Sequence, residues 1–259
     1  IASLVMLIDT HCHLDAAEFD SDRDRDVAAA RAAGVEIQIV PSVEKGNFAA
    51  VLECCRRYAG CYPALGIHPM YVDRAQPEDL VDLKAAVALE KLVAIGEIGL
   101  DFFVPDYDQE MQEFYFSEQL KIARDAELPV LLHIRRAQDQ VLKHLRRIRV
   151  CGGIAHAFNG SRQQADEFIK LGFRLGFGGA MTYPRATRLR ELAATLPLEA
   201  IVLETDAPDM APVWIGKGRN SSETLPQIAQ ALAELRGIPY EVVVQATGAN
   251  ARAVVKGLT

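Results

Sequence analysis

Short β-rich runs alternate with longer helical patterns along almost the whole 259-residue chain, and this alternation constrains the fold more than any other feature. The eight candidate strands are Leu4–Thr10, Glu36–Pro41, Cys61–Gly66, Leu92–Ile98, Pro129–His133, Gly152–His156, Phe173–Phe177 and Ile201–Thr205. Strands that alternate with helices form parallel βαβ units. Eight such units predict an α/β fold of the (β/α)8 TIM-barrel type.

Amphipathic helical patterns fill the intervals between the strands, for example Arg23–Ala33, Leu80–Leu89, Gln109–Ala126 and Arg162–Leu171. Gly or Pro breaks the pattern where a helix gives way to the next strand. A doubly wound open sheet is the alternative fold, but no G-x-G-x-x-G follows the first strand. No linker divides the chain, so we expect a single domain over residues 1–259, with a helical tail from about Ser222.

Charge and cysteine content narrow the functional classes. The formal net charge of −7 argues against a general nucleic-acid coat protein, although an acidic enzyme can carry a local basic rim. The five cysteines are odd in number and form no C-x-x-C pair, which favours a reducing, cytoplasmic location over a disulfide framework. The apolar N-terminal stretch is too short to span a bilayer, so no membrane association is expected. Residues 1–5 precede Met6 and are set apart as non-native or disordered.

Histidines and carboxylates stand at the C-terminal ends of the candidate strands, which form the active-site face of a barrel. His11 and His13 are two positions apart and therefore point to the same side of a strand. Imidazole suits transition metals, and a carboxylate can bridge two ions. The predicted metal ligands are His11, His13, Glu97, His133, His156 and Asp206. His144 lies in a basic helical segment and is expected to be a solvated surface residue.

Five ordered motifs resemble the TatD family of metal-dependent hydrolases: DTHCHLD, GEIGLD, LLHIRRA, HAFNGS and VLETDAP. The segments TYPRA and ETDAPDM are most similar to the YjjV branch of that family. The likeness extends from about Leu7 to Ala253. It implies an amidohydrolase-like TIM barrel with a divalent-metal centre, and hydrolysis of phosphodiesters as a DNase. Matched position by position, the family's metal ligands fall on the six residues named above, with Glu97 as the bridging ligand.

The chemistry expected of such a centre is hydrolysis by a metal-activated water held between two divalent ions. The expected ligand sets are His11 and His13 with Glu97 and Asp206 for one ion, and His133 and His156 with Glu97 for the other. Asp206 is expected to accept the proton of the attacking water, so Glu97 and Asp206 are the predicted catalytic residues. The imidazole-rich set favours zinc or manganese, whereas the family resemblance suggests magnesium.

Several further residues are candidates for substrate binding. The resemblance places His68 near the substrate, and a simple His-Pro turn is the alternative. Arg135 and Arg136 directly follow His133, so we expect them near the barrel mouth, in contact with phosphate. Further phosphate or stacking contacts are considered for Tyr183, Arg185, Arg188, Lys217 and Arg219. The loop near Asn220 lacks the N-x-P found in many family members, which leaves the substrate range open.

Four further residues near the candidate ligands have expected supporting roles or positions. Glu204 is expected to orient a metal ligand. Asp101 is a candidate for a similar contact, Asp9 for a capping or orienting role, and Cys12 for a buried position.

The leading function is hydrolysis of DNA or another phosphodiester, with no obligate protein partner. The alternatives are a metal-dependent amide or ester hydrolase and a non-catalytic barrel that is only stabilised by metal. No G-x-S-x-G motif supports a serine nucleophile.

Overall fold

Eight parallel strands form one sheet in the computed structural model, which describes residues 6–259. The strands are β1 (Leu7–Asp9), β2 (Val35–Pro41), β3 (Cys61–Leu65), β4 (Ala94–Asp101), β5 (Val130–Arg135), β6 (Gly153–Ala155), β7 (Phe173–Phe177) and β8 (Ile201–Leu203). Each strand pairs with the next one along the chain. Backbone hydrogen bonds from Thr10 to Leu203 (3.1 Å) and from Asp206 to His11 (2.8 Å) join the ends of β1 and β8. The predicted TIM barrel is confirmed, whereas the predictions for residues 1–5 lie outside the described residues.

Helices follow the strands on the outside of the barrel. Within residues 6–259 the α-helices are α1 (Arg23–Ala32), α2 (Phe48–Arg57), α3 (Pro77–Leu89), α4 (Gln109–Asp125), α5 (Gln138–Arg147), α6 (Arg162–Lys170), α7 (Thr187–Thr195), α8 (Leu225–Arg236) and α9 (Tyr240–Val254). The two last helices form the predicted helical tail. Across the described part of the chain, none of the helices combines the length and the apolar character needed to cross a bilayer.

Local sequence sets the helix boundaries that matter for the site. The Ser161 side chain accepts a hydrogen bond from the Gln164 amide, and the Gln164 side chain accepts one from the Ser161 amide. This reciprocal capping box begins α6 just after the loop that follows β6. The C-terminus of α8 is capped by Gly237. Its φ of 63° is left-handed, a conformation that suits glycine.

The barrel interior is an apolar layer beneath a polar one. Leu131, Ile154 and Val202 belong to a cluster of fully buried residues inside the strands. His133 and His156 lie two residues further along β5 and just after β6. Because positions i and i+2 of a strand share a face, these polar side chains stand above the apolar layer, at the C-terminal end of the barrel. The alternation of side chains along each strand therefore places the polar residues of the site above the apolar layer.

Candidate metal centre

The six predicted metal ligands converge at the C-terminal end of the barrel. Each stands in or just after a strand: His11 and His13 after β1, Glu97 in β4, His133 in β5, His156 after β6 and Asp206 after β8. Parallel strands bring their C-terminal ends to the same edge, so residues far apart in the chain become neighbours. The centre is thus a direct product of the strand order.

Glu97 lies at the middle of this cluster and is only 2 % exposed. Ring nitrogens of five histidines lie within 3.4 Å of its two carboxylate oxygens. The distances are 3.1 Å from His11 Nε2 and 3.4 Å from His13 Nε2 to Oε2, and 3.0 Å from His133 Nδ1, 3.2 Å from His68 Nε2 and 3.3 Å from His156 Nε2 to Oε1. Every histidine of the predicted set faces this one carboxylate.

Asp206 stands at the open side of the cluster. Its Oδ1 lies 3.4 Å from His13 Nε2 and 3.6 Å from His11 Nε2. The backbone φ of Asp206 is 56°, a left-handed conformation that aspartate tolerates better than most residues. The side chains of His13 and Asp206 are 17 % and 15 % exposed, so the centre opens to solvent on this side.

The donor set fits a divalent cation. The buried Nδ1 atoms of His11 and His156 have no hydrogen-bond partner among residues 6–259. Of the rings around Glu97 in the described residues, those of His11 and His133 are at hydrogen-bonding geometry to its carboxylate. The cluster therefore holds more imidazole nitrogens and carboxylate oxygens than its own hydrogen bonds satisfy, which is the composition of a transition-metal site.

Three overlapping groups bring their donor atoms within 4.8 Å of one another. They are His11 with Glu97 and His156, His11 with His13 and Asp206, and His68 with Glu97 and His133. His156 stacks on His11 with ring centroids 3.8 Å apart, whereas the His133 and His156 centroids are 6.0 Å apart. The ring of His156 therefore lies closer to His11 than to His133. The sequence instead predicts that His156 and His133 bind the same ion.

The imidazoles hold the two carboxyl groups of the centre in their charged form. Burial raises the pKa of Glu97, but the neighbouring His68, His11 and His156 outweigh it, and this pKa lies well below its usual range. Burial also raises the pKa of Asp206, and the charge of His156 brings it below its ordinary value. Both groups are therefore carboxylates at neutral pH, the state that binds a cation.

His68 also lies in the cluster, with its Nε2 3.2 Å from Glu97 Oε1. Its Nδ1 accepts a hydrogen bond of 3.0 Å from the Met70 amide, so a neutral ring carries its proton on Nε2, which faces Glu97. Burial lowers the pKa of His68 to about 4, so the ring is neutral at pH 7. Gln119 fixes this position because its side chain bonds both the amide and the carbonyl of Ile67. A protonated Nε2 suits contact with an anionic substrate better than ligation of a metal.

Two further carboxylates contact the histidines from behind. Asp101 Oδ2 lies 2.8 Å from His133 Nε2, and Asp101 Oδ1 accepts a hydrogen bond of 3.0 Å from the Phe103 amide. Burial raises the pKa of Asp101, but its hydrogen bond with His133 leaves that pKa below the ordinary value. Glu204 Oε1 lies 3.4 Å from His156 Nδ1. A carboxylate hydrogen-bonded as Asp101 is fixes the orientation and tautomer of a metal-binding histidine, and Glu204 lies close enough to His156 to orient its ring by charge.

Asp9 links the strands that carry the centre. Its fully buried carboxylate accepts hydrogen bonds from the Thr205 amide at 3.0 Å and from Ser222 Oγ at 2.7 Å. Burial raises the pKa of Asp9 to about 6. These bonds join the end of β1 to the segment after β8 and to the turn before α8.

Arg135 and Arg136 are exposed beside the centre. Their guanidinium carbons lie 3.6 Å and 4.6 Å from the centroid of the Phe103 ring. Both line a cleft of about 430 Å³ formed by the loops after β4, β5 and β6. In the described part of the chain, neither arginine contacts Glu97. Both therefore lie outside the cluster of predicted ligands.

Two groups have protein partners that the sequence did not indicate. His144 is only 7 % exposed, because its Nε2 lies 2.9 Å from Glu113 Oε2 and its Nδ1 lies 3.2 Å from Ser117 Oγ. The expectation of a solvated His144 was therefore wrong, since α4 packs these polar groups against α5. Arg219 makes two hydrogen bonds to Asp22, at 2.7 Å and 2.9 Å, and is not free to contact phosphate.

Asn220 has a role that sequence reasoning missed. It is fully buried, and its Nδ2 donates hydrogen bonds of 2.9 Å to the carbonyls of Thr205 and Asp209. It thereby holds the segment that carries Asp206. The only sequence signal was its place in the loop after the eighth strand, which does not distinguish an anchoring asparagine from an exposed one.

Comparison with known proteins places this arrangement in a family. The family profile described as TatD related DNase matches residues 8–256. The chain belongs to the TatD family. The TatD match includes all six clustered residues. The TatD-family protein YjjV of Escherichia coli K12, named an uncharacterized metal-dependent hydrolase, is 42% identical over 242 residues, covering 92% of this chain and 93% of that protein.

A structural comparison and a second relative agree with this assignment. The crystal structure of Escherichia coli YjjV superposes with a TM-score of 0.94 at 40% identity, covering 98% of this chain and 99% of that one. A Cronobacter sakazakii protein named 3'-5' ssDNA/RNA exonuclease TatD is 34% identical over 253 residues, covering 95% of this chain and 96% of that protein. The chain is thus a TatD-type metal-dependent hydrolase, and the likeness extends over more than nine tenths of it.

Proposed function

We propose that this TatD-type hydrolase cleaves phosphodiester bonds in DNA and is a deoxyribonuclease. The observation that carries the proposal is the convergence of four histidines on Glu97 and Asp206 at the solvent-open end of the barrel. A relative of similar length is named as a single-stranded DNA and RNA exonuclease, which supports this substrate class. Hydrolysis of DNA by this chain is the part that experiment must test.

The proposed metal ligands are the four histidines of the cluster with its two carboxylates: His11, His13, His133, His156, Glu97 and Asp206. Two divalent ions bound there would polarise a phosphoryl oxygen and lower the pKa of a coordinated water to about 7. The imidazole content favours zinc or manganese, and magnesium is the third candidate.

Asp206 is suited to accept the proton of the attacking water. Its lowered pKa keeps it a carboxylate at neutral pH, and its side chain reaches the solvent-open side of the cluster. The Asp206 amide donates a hydrogen bond of 2.8 Å to the His11 carbonyl, which fixes the carboxylate beside the ligands from β1. A fixed, charged acceptor at the mouth is the geometry that general base catalysis needs.

His68 and the two exposed arginines are proposed to bind the substrate. The Nε2 proton of neutral His68 points into the cluster and can be donated to a non-bridging phosphate oxygen. Arg135 and Arg136 offer planar guanidinium groups, which bind phosphate through paired hydrogen bonds. All three approach from the side of β3 to β5.

The open mouth distinguishes this proposal from a purely structural metal site. A structural site is closed by protein ligands, whereas a catalytic site keeps a position for water. Here His13 and Asp206 are partly exposed at 17 % and 15 %. This exposure supports a reaction centre over a metal-stabilised binding barrel.

The test is a substrate panel with defined metals. Protein purified without added metal is analysed for its metal content and then assayed after loading with zinc, manganese or magnesium. The substrates are single-stranded DNA, bis(p-nitrophenyl) phosphate and acyl amides. Metal-dependent cleavage of DNA supports the proposal, whereas cleavage confined to the amides assigns the centre to the alternative amide hydrolase.

A further inference from the structure

A cleft rich in arginine opens beside the metal centre, on one side of the barrel mouth. It has a volume of about 430 Å³, and its basic lining residues are Arg135, Arg136 and Arg188. No aspartate or glutamate is among the residues that line it. In a chain whose formal net charge is −7, a cleft with three positive charges and no negative ones marks a place for an anion.

None of these three arginines has an acidic partner in the described part of the chain. Within residues 6–259, no carboxylate oxygen lies within the 4.0 Å ion-pair distance of any of them. Arg146 on α5 and Arg162 on α6, by contrast, are paired with Glu167 and Asp166 at 2.7 Å and 3.1 Å. Guanidinium groups without a carboxylate partner keep their hydrogen-bond donors available for a ligand.

An aromatic ring and an amide fix the geometry of the cleft. Phe103 is 43 % exposed, and the Arg135 guanidinium lies 3.6 Å from its ring centroid. Arg188, in the first turn of α7, donates a hydrogen bond of 3.1 Å to Asn159 Oδ1. The cleft thus combines oriented cations with a partly exposed aromatic ring, against which the Arg135 and Arg136 guanidiniums both lie, and such a pairing of cations with an aromatic ring binds single-stranded nucleic acid.

The opposite side of the mouth carries negative charge. Asp209 and Asp15 follow β8 and β1, close to Asp206 and His13. A polyanion at the centre would meet carboxylates on the side of β1 and β8 and arginines on the side of β5 to β7.

We propose that this cleft binds a backbone phosphate of single-stranded nucleic acid next to the phosphodiester at the metal centre, with the adjoining base against Phe103. Arg135, Arg136 and Arg188 contact the phosphate, and Arg135 also packs against the Phe103 ring. This inference rests on the proposed phosphodiesterase function and adds to it a second, non-reacting contact site. The strand leaves the centre toward β5–β7.

Binding of an oligothymidylate of about eight nucleotides, measured by fluorescence anisotropy on the full chain in EDTA, tests the cleft without hydrolysis. Arg188→Gln is expected to weaken binding about tenfold, the effect of losing one hydrogen bond to a charged group. It also lowers the slope of log affinity against log salt by about 0.7. Arg188→Lys retains most of that slope and guards against a folding defect.

A matched control removes the same charge elsewhere. Arg56 on α2 is paired with Glu90 at 2.9 Å, so Arg56→Gln should leave binding and its salt slope unchanged. Phe103→Leu weakens binding without changing the slope, because stacking carries no net charge. Equal losses in Arg188→Gln and Arg56→Gln would overturn the proposal, as would binding of inorganic phosphate as tight as that of the oligonucleotide.

Hydrolysis of bis(p-nitrophenyl) phosphate separates this inference from the proposed function. This small diester has a single phosphate, so it offers no second phosphate to the cleft while the first is at the centre. If the wild-type protein cleaves it but Arg188→Gln leaves oligonucleotide binding intact, the cleft proposal fails and the phosphodiesterase proposal stands. If the protein binds the oligonucleotide through Arg188 and cleaves no phosphodiester, the reverse holds.

Discussion

The His133 Nε2 atom lies 2.8 Å from Oδ2 of Asp101. The opposite nitrogen of the ring, Nδ1, faces Glu97 at 3.0 Å. If Asp101 accepts the Nε2 proton, the lone pair of His133 is left on Nδ1 and points into the cluster. Asp101 itself is held by the amides of Phe103 and Val104. The backbone turn after β4 therefore determines the tautomer of a proposed ligand on β5.

Replacing Asp101 should weaken metal binding without emptying the site. Asp101→Asn retains the shape of the side chain but loses the charge that orients His133, and we expect metal affinity to fall about 10- to 100-fold. Competition with a chromophoric chelator measures this directly. Asp73→Asn, an exposed change of the same kind, is the control. An unaltered affinity in Asp101→Asn would show that His133 needs no such partner.

Replacing Glu97 should have a more severe effect. Five histidine rings face its carboxylate, so Glu97→Ala removes the one group that all of them share. We expect the variant to lose both its metal content and its phosphodiesterase activity. Elemental analysis of the purified protein and the bis(p-nitrophenyl) phosphate assay report the two losses separately. A metal-replete, fully active variant would refute the bridging role.

The strands and their terminal residues were predictable because each depends on local sequence. A run of apolar residues followed by a polar one predicts a buried parallel strand. It also predicts that the polar side chain stands at the C-terminal end of that strand. His133 and His156 are examples, since each follows an inward-facing apolar residue by two positions. Cys12 was likewise expected to be buried and is 1% exposed. The alternation of side chains along a strand was sufficient for these assignments.

The partners of those residues were not predictable in the same way. The contact between Asp101 and His133 depends on the register of β4 and β5, in which Gly99 pairs with His133. The burial of His144 depends on how α4 lies against α5, and Glu113 and His144 are 31 residues apart. Contacts of this kind arise from tertiary packing, which periodicity within one segment does not encode.

Glycine at position 176 makes room for the carboxylate that faces His156. A Cβ atom at Gly176 would lie 2.2 Å from Glu204 Oε2. Gly176→Ala should therefore displace Glu204 and lower metal affinity about 10- to 100-fold, as expected when a ligand loses its orienting partner. At Gly46 an added Cβ would meet nothing closer than 3.7 Å, so Gly46→Ala is the matched control. Equal metal affinity in the two variants would contradict this role of Glu204.

A buried carboxyl group on α1, outside the metal centre, affects the stability of the fold. Asp26 on α1 is buried, with its Oδ2 lacking a hydrogen-bond partner among residues 6–259 and its Oδ1 3.7 Å from Arg219. Burial raises the pKa of Asp26 from 3.8 to about 6, and the charge of Arg219 opposes this increase only in part. The folded state therefore binds a proton more tightly at this site than the unfolded chain does.

The sign of the pH effect follows from this difference in proton binding. Between pH 3.8 and about 6 the folded state holds more protons at Asp26, so this group lowers stability as the pH rises through that range. Asp26→Asn removes the buried charge and should raise the free energy of unfolding at neutral pH, with an advantage that shrinks as the pH falls toward 3.8. Urea denaturation at several pH values measures it, with the exposed Asp73→Asn as control. A stability difference that stays constant with pH would mean that Asp26 titrates as an ordinary exposed carboxyl.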